Sequence, residues 1–214
     1  MFIKGVVPAH SVVGVLTAAL VAFLGATSVW SAEQTIVVLG DSLSSGHGMR
    51  IEQSWVSKLE DRLEAEGYGY EVINTSISGD TTSGGLARLP RILELYQPAI
   101  VIIELGGNDG LRGQPIRNLR ANLAAMIELT LNHGATAVLT GIQIPPNYGP
   151  SYTKAVAEIY PELASEFDIP LVGFLMEDVA LHAELMQPDR IHPNARGNDV
   201  MLENVWAVLI RVLL

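Results

Sequence analysis

Ser42 stands in Gly40-Asp41-Ser42-Leu43-Ser44, directly after the apolar run Thr35 to Leu39, and the chain continues through Gly46 and Gly48 toward Ser54. An apolar run bounded by glycines reads as a buried strand, so Ser42 is expected at a strand-to-helix turn. There an open α/β fold exposes side chains at the carboxyl end of its sheet, and backbone N–H groups face any negative charge that develops. A serine hydroxyl so placed can attack a carbonyl if a base lies within reach, a third group orients that base, and donors meet the oxyanion. Asp189-Arg190-Ile191-His192-Pro193-Asn194 offers the base and its orienting group. A carboxylate three residues before a histidine, in a non-periodic stretch, can hold Nδ1–H while Nε2 faces the serine. For the oxyanion there are the N–H of Ser42, the N–H of Gly79, which no side chain obstructs, and the side-chain amide of Asn108. Each of these segments alone is also ordinary turn chemistry. The four blocks together, in this order, point to acyl transfer.

The remaining histidines fit the role of base less well. His10 lies near the amino terminus, His47 is near the serine without a close acidic partner, His133 ends a helical pattern, and His182 precedes the base segment. Asp41, Asp80, Glu104 and Asp109 flank the candidate positions and are read as loop-holding acids that bond to nearby backbone. No histidine-carboxylate cluster has metal spacing, and serine acyl transfer needs neither metal nor cofactor.

The elements that must position these groups follow from periodicity. Ser54 to Glu66 places Trp55, Leu59 and Leu63 on one helical face, and Tyr70 to Ile77 reads as a strand. A glycine-rich connection, Ser78 to Gly85, precedes a helix over Leu86 to Leu95. Ala99 to Leu105 is almost continuously apolar, as expected of a strand covered on both faces. A helix over Asn118 to His133, a strand over Ala135 to Thr140, a helix carrying Val156, Ile159, Tyr160, Leu163 and Phe167, a short strand Pro170 to Val172 and a last helix over Asn198 to Leu213 complete the chain. This alternation predicts an α/β fold, a three-layer α/β/α sandwich on a five-stranded parallel sheet.

Length and composition set the frame. With 214 residues, 49% hydrophobic and 17% charged, the chain suits one full-sized core. Residues 1–31 read as a secretory signal peptide, with an uncharged stretch after Lys4, a dense apolar block from Val12 to Leu24 and small residues permitting cleavage after Ser28 or Ser31. Residues 32–214 are then a single domain; an uncleaved anchor is the alternative, since the stretch is long enough to span a bilayer. The absence of cysteine excludes disulfides and a lipid on an N-terminal cysteine. The formal charge of −10 argues against nucleic acid and against docking on anionic lipid. A soluble, exported, periplasmic monomer acting on a small or neutral substrate is expected.

The blocks GDSLS at 40–44, Gly79 within ISGDTTSGG, GGND at 106–109 and DRIHPN at 189–194 resemble, in order, those of the SGNH (GDSL) hydrolases. GGNDGLRG, PPNYG and AEIYPELASEFDIPLVGF resemble its exported thioesterase, protease and lysophospholipase subgroup. The resemblance implies an SGNH, flavodoxin-like fold with Ser42 as nucleophile, Asp189 and His192 completing the triad, and Ser42, Gly79 and Asn108 forming the oxyanion hole. It also implies a mobile loop around Leu111 over the acyl chain and a pocket border at Ile144 to Tyr148, so that Leu111, Ile144, Pro145 and Tyr148 contact substrate. Carboxylic esters, acyl thioesters and lysophospholipids are the substrates it implies. Carbohydrate O-acetyl esterases and acyltransferases share the blocks, and a non-catalytic lipid-binding protein is the rival from another class. The usual G-x-S-x-G elbow of the α/β-hydrolases is absent. After HPN the subgroup often carries a glutamine, where this chain reads Ala195-Arg196-Gly197-Asn198.

Overall fold

A computed structural model describes residues 1, 2, 5 and 34–213. The chain divides into compact units Met1–Trp30 and Ser31–Leu214, and the elements below all belong to the second. The apolar block of the expected leader and both cleavage positions lie outside the described residues.

Five parallel strands form one sheet in the order β2-β1-β3-β4-β5: β1 Gln34–Gly40, β2 Tyr70–Asn74, β3 Ile100–Glu104, β4 Thr136–Gly141 and β5 Leu171–Phe174. Alternate residues serve two cores, as the period of two requires. Val37, Leu39, Val101 and Ile103 pack under α2 Thr82–Tyr96, α4 Ile116–Asn132 and α5 Pro150–Phe167, whereas Ile36, Val38, Ile100 and Ile102 face α1 Trp55–Ala65 and α6 Ala195–Leu209. This is the expected three-layer sandwich, with helices on both faces of a parallel sheet. Trp55, Leu59 and Leu63 of α1 are fully buried, each contributing roughly 1.5–3 kcal/mol.

Several boundaries differ from the sequence reading, among them β2 ending at Asn74 and α6 at Leu209, and three differences bear on the site. Helix α2 starts at Thr82, four residues before Leu86, because Thr81 caps it by accepting from the Gly84 N–H. Gly85 then allows close approach: a Cβ there would lie 2.2 Å from Leu105 Cδ1. Helix α6 starts at Ala195 because Asn194 caps it, accepting from the N–H groups of Arg196 and Gly197 at 3.0 and 3.1 Å. Asn198, fully buried, then accepts from the Trp55 N–H at 2.9 Å, tying the start of α6 to the start of α1. Finally, Gly107–Leu111, read from sequence as loop, is a short helix, α3.

The strand order fixes the site. Strand β1 lies between β2 and β3, so the chain leaves it to one side and returns on the other. Open parallel sheets bind ligands at such a reversal, beyond the carboxyl ends of the strands. Ser42 follows β1 there, flanked by the turns that follow β2 and β3.

Candidate active site

The loop that carries Ser42 is built on two buried carboxylates. Glu104, at the end of β3, accepts from the Ser44 hydroxyl at 2.7 Å and the Asp41 N–H at 3.2 Å. Asp41 accepts from the Leu43 N–H at 3.0 Å through Oδ1 and from the Asn108 amide at 2.9 Å through Oδ2. Burial, reinforced by neighbouring Asp41, pushes the Glu104 carboxyl well above the usual range. Burial likewise raises Asp41, to about 6, against the lowering effect of its bonds from Leu43 and Asn108. The turn they hold leaves Ser42 half-buried, and its N–H has no protein partner among the described residues.

His192, the candidate base, comes from a hairpin after β5. Met186 bridges Pro193 antiparallel, and the Gln187 N–H donates to the His192 carbonyl at 2.8 Å. At its tip Arg190 takes φ +56°, and Asp189 Oδ1 accepts from the N–H groups of Ile191 and His192 at 3.0 and 3.1 Å. The other oxygen, Oδ2, lies 2.7 Å from His192 Nδ1, while His192 Nε2 lies 2.9 Å from Ser42 Oγ. Burial works to raise Asp189, yet the bond from the His192 ring and the two backbone N–H groups together hold it at about 2. A carboxylate that stays ionised keeps the proton of neutral His192 on Nδ1 and frees Nε2 to take one from Ser42.

The other expected residues fall into place unevenly. Asn108 sits in the first turn of α3 and lines the cleft beside Ser42; Asp41 uses one amide hydrogen and leaves the other. Gly79 adopts φ +81°, its carbonyl accepts from Arg112 at 2.9 Å, and its N–H has no partner among the described residues. A cleft of about 660 Å³ opens over Ser42 and His192, bordered by Leu111, Ile144 and Pro145. Such a volume suits a small-molecule ligand. Tyr148 is not among its lining residues: its hydroxyl donates to the Leu111 carbonyl at 2.9 Å, so it braces the loop rather than facing the cleft. Asp80 and Asp109 hold loops, as expected: Asp80 accepts from the Thr81 N–H and Arg88, and Asp109 from the N–H and hydroxyl of Thr82. Sequence reasoning missed Gln187 and Arg112, whose side chains join loops far apart in the chain and carry no local signal. Among the described residues no group of three or more His, Cys, Asp or Glu is arranged to hold a metal ion.

The chain matches the GDSL-like Lipase/Acylhydrolase family over residues 38–200. It is 49% identical over 179 residues to the esterase TesA of Pseudomonas aeruginosa, covering 84% of this chain and 89% of that protein. It is 44% identical over 164 residues to the thioesterase 1/protease 1/lysophospholipase L1 of Escherichia coli K12, covering 77% of each. A crystal structure of TesA superposes with a TM-score of 0.82 at 48% identity, over 84% of this chain and all of that one. With matched motifs, sheet order and site geometry in agreement, the chain belongs to the GDSL-like lipase/acylhydrolase family, the SGNH hydrolases.

Proposed function

We propose that this protein is a serine hydrolase cleaving carboxylic esters and thioesters through an acyl-enzyme, with Ser42 as nucleophile, His192 as base and Asp189 as its orienting acid. The observation that carries the assignment is the continuous chain of contacts, 2.7 Å from Asp189 to His192 and 2.9 Å from His192 to Ser42, at the mouth of an apolar-bordered cleft. Ser42 Oγ attacks the acyl carbonyl as Nε2 takes its proton. The oxyanion meets the N–H groups of Ser42 and Gly79 and the free amide hydrogen of Asn108. His192 then returns the proton to the leaving alcohol or thiol, and water, activated by the same nitrogen, releases the acid. The acyl chain lies along Leu111, Ile144 and Pro145, where each buried CH₂ contributes about 0.8 kcal/mol. Acyl thioesters, aryl or alkyl esters and lysophospholipids are thus the substrate class, with no metal or cofactor in the reaction.

The similar proteins named esterase and thioesterase support the same chemistry. Every group the reaction uses comes from one chain, so a monomer would suffice for this chemistry. The leader-like residues 1–31 support export to the periplasm, and among the described residues no helix is long and apolar enough to cross a membrane.

The test measures p-nitrophenyl esters from acetyl to dodecanoyl, on wild type and on the Ser42→Ala and His192→Ala variants. The expected result is a maximum at medium or long chains and a fall of about 10³ or more in kcat for each variant. Turnover of acetyl esters alone would replace this substrate class with carbohydrate O-acetyl esters. Variants with wild-type rates would remove the triad assignment.

A further inference from the structure

The ring of His47 lies against the ring of His192, with centroids 4.3 Å apart and planes inclined by 36°. The two side chains come from opposite sides of the site, one from the nucleophile loop after β1 and the other from the hairpin after β5. A second contact joins the same two loops. The Gln187 side-chain amide donates to the His47 carbonyl at 2.8 Å and to the Pro193 carbonyl at 3.0 Å, so one side chain staples the backbone at His47 to the residue next to His192. Gly48 makes room for that staple: it holds φ +72°, and a Cβ there would come within 2.4 Å of Gln187 Oε1. The edge of the His47 ring is held from a third direction. Its Nδ1 lies 3.4 Å from the hydroxyl of Ser78, in the turn leading to Gly79, and that hydroxyl is 2.7 Å from the Ser45 hydroxyl in the loop after β1.

These contacts bear on a weakness of the catalytic hairpin. Asp189 is 41% exposed, and its bond fixes only the Nδ1 end of the imidazole. With Asp189 at Nδ1 and only the Ser42 hydroxyl at Nε2, the ring can still rotate about the line joining its nitrogens, and an error of about 1 Å at the reacting atom can cost on the order of 10²-fold in rate. A flat partner against the ring face removes that freedom, and aromatic pairs at this separation attract in tilted, offset arrangements. His47 has no carboxylate partner among the described residues, so it lacks the orienting acid a base would need.

We propose that His47 is a positioning residue for His192: its ring face, held by the Gln187 staple and the Ser78 hydroxyl, keeps the imidazole aligned between Asp189 and Ser42. The inference rests on His192 being the base. It concerns the face of the His47 ring and assigns no proton transfer to its nitrogens.

The test compares His47→Ala, His47→Phe and His192→Ala with wild type, on full-length enzyme and a medium-chain p-nitrophenyl ester, with near-ultraviolet circular dichroism confirming a native fold. His47→Ala is expected to lower kcat about 10-fold with KM unchanged, because the acyl cleft is untouched. His47→Phe, which keeps a flat face without nitrogens, is expected to restore most of kcat. The downfield proton of the His192–Asp189 bond, followed by NMR, should broaden in His47→Ala and sharpen again in His47→Phe. Wild-type kcat in a folded His47→Ala variant, or no rescue by phenylalanine, would overturn the proposal. If His192→Ala itself stays active, the base assignment falls and this inference with it. If His192→Ala is inactive while His47→Ala is unimpaired, only the inference about His47 falls.

Discussion

Asp41→Asn is expected to make the protein more stable at neutral pH and less active. Asp41 is 2% exposed, and its carboxyl is raised from 3.8 to about 6, chiefly by burial. A carboxyl raised by that much costs the folded state, once ionised, on the order of 3 kcal/mol relative to the unfolded chain. Asparagine carries no charge, and its oxygen still accepts from the Leu43 N–H. Its amide, however, turns toward the Asn108 amide, and the 2.9 Å bond is lost at about 1 kcal/mol. A net gain of about 2 kcal/mol is left at neutral pH. The sign follows from a raised pKa: below 3.8 the wild-type carboxyl is neutral in both states, and ionisation has no cost there. Between that value and about 6 only the unfolded chain ionises, so wild-type stability falls with rising pH, and above 6 the cost is complete. Urea unfolding should therefore show the gain at pH 7.5 and, at pH 4, where the ionisation cost has almost gone, a small net loss of less than about 1 kcal/mol from the broken Asn108 bond. Activity moves the other way, because the Asn108 amide loses the acceptor that aims its second hydrogen at the cleft. The loss in kcat is bounded by the roughly 10²–10³ that removing a whole oxyanion donor costs, and about 10-fold or more is expected. A variant less stable than wild type at pH 7.5, or equally stabilised at both pH values, would refute the account of Asp41 as a buried charge held for function.

Two further substitutions probe the scaffold. Gly197→Ala would place a Cβ 2.5 Å from the Leu185 carbonyl and 2.9 Å from Pro193 Cβ, so it should destabilise by roughly 1–3 kcal/mol. Because Pro193 adjoins His192, kcat should drop with it, as thermal unfolding paired with ester kinetics would show. Asp109→Asn leaves one carbonyl oxygen for the two Thr82 donors that now bond separate oxygens at 2.8 and 2.6 Å, which should cost about 1–3 kcal/mol. Hydrogen exchange at the Thr82 amide, at the start of α2, should accelerate ahead of global unfolding.

What could be read from the sequence divides along the range of the forces involved. The strands were legible because a parallel sheet covered on both faces demands nearly continuous apolar runs, and Ile100 to Ile103 are all essentially buried. The elements read wrongly are those where glycine acts through packing. Gly84 and Gly85 suggest a loop by propensity, yet they lie in the first turn of α2, where a Cβ on Gly85 would meet Leu105 Cδ1 and one on Gly84 the Asp80 carboxylate. Gly197 likewise sits in the first turn of α6 beneath the Leu185 carbonyl, and Asn194, an ordinary capping residue, was the signal that α6 begins there. Tyr148 was expected at the substrate because the family resemblance places Ile144 to Tyr148 at the pocket border, and a shared motif cannot show that its hydroxyl bonds the Leu111 carbonyl.

The candidate site was legible for a different reason. Each chemical group follows the carboxyl end of its own strand, so any parallel arrangement puts all of them on one rim. Which neighbours Ser42 has depends on strand order, and right-handed crossovers allow several orders. The observed order, with β1 between β2 and β3, sets Gly79 to one side of Ser42 and Asn108 to the other, while the hairpin after β5 crosses β4 and β3 to bring His192 within 2.9 Å. That crossing is long for a loop, which is why the hairpin is tied down where it arrives, by the Gln187 amide, the His47 ring and the Asn194 cap. Loosening these ties should therefore impair catalysis before it unfolds the sheet.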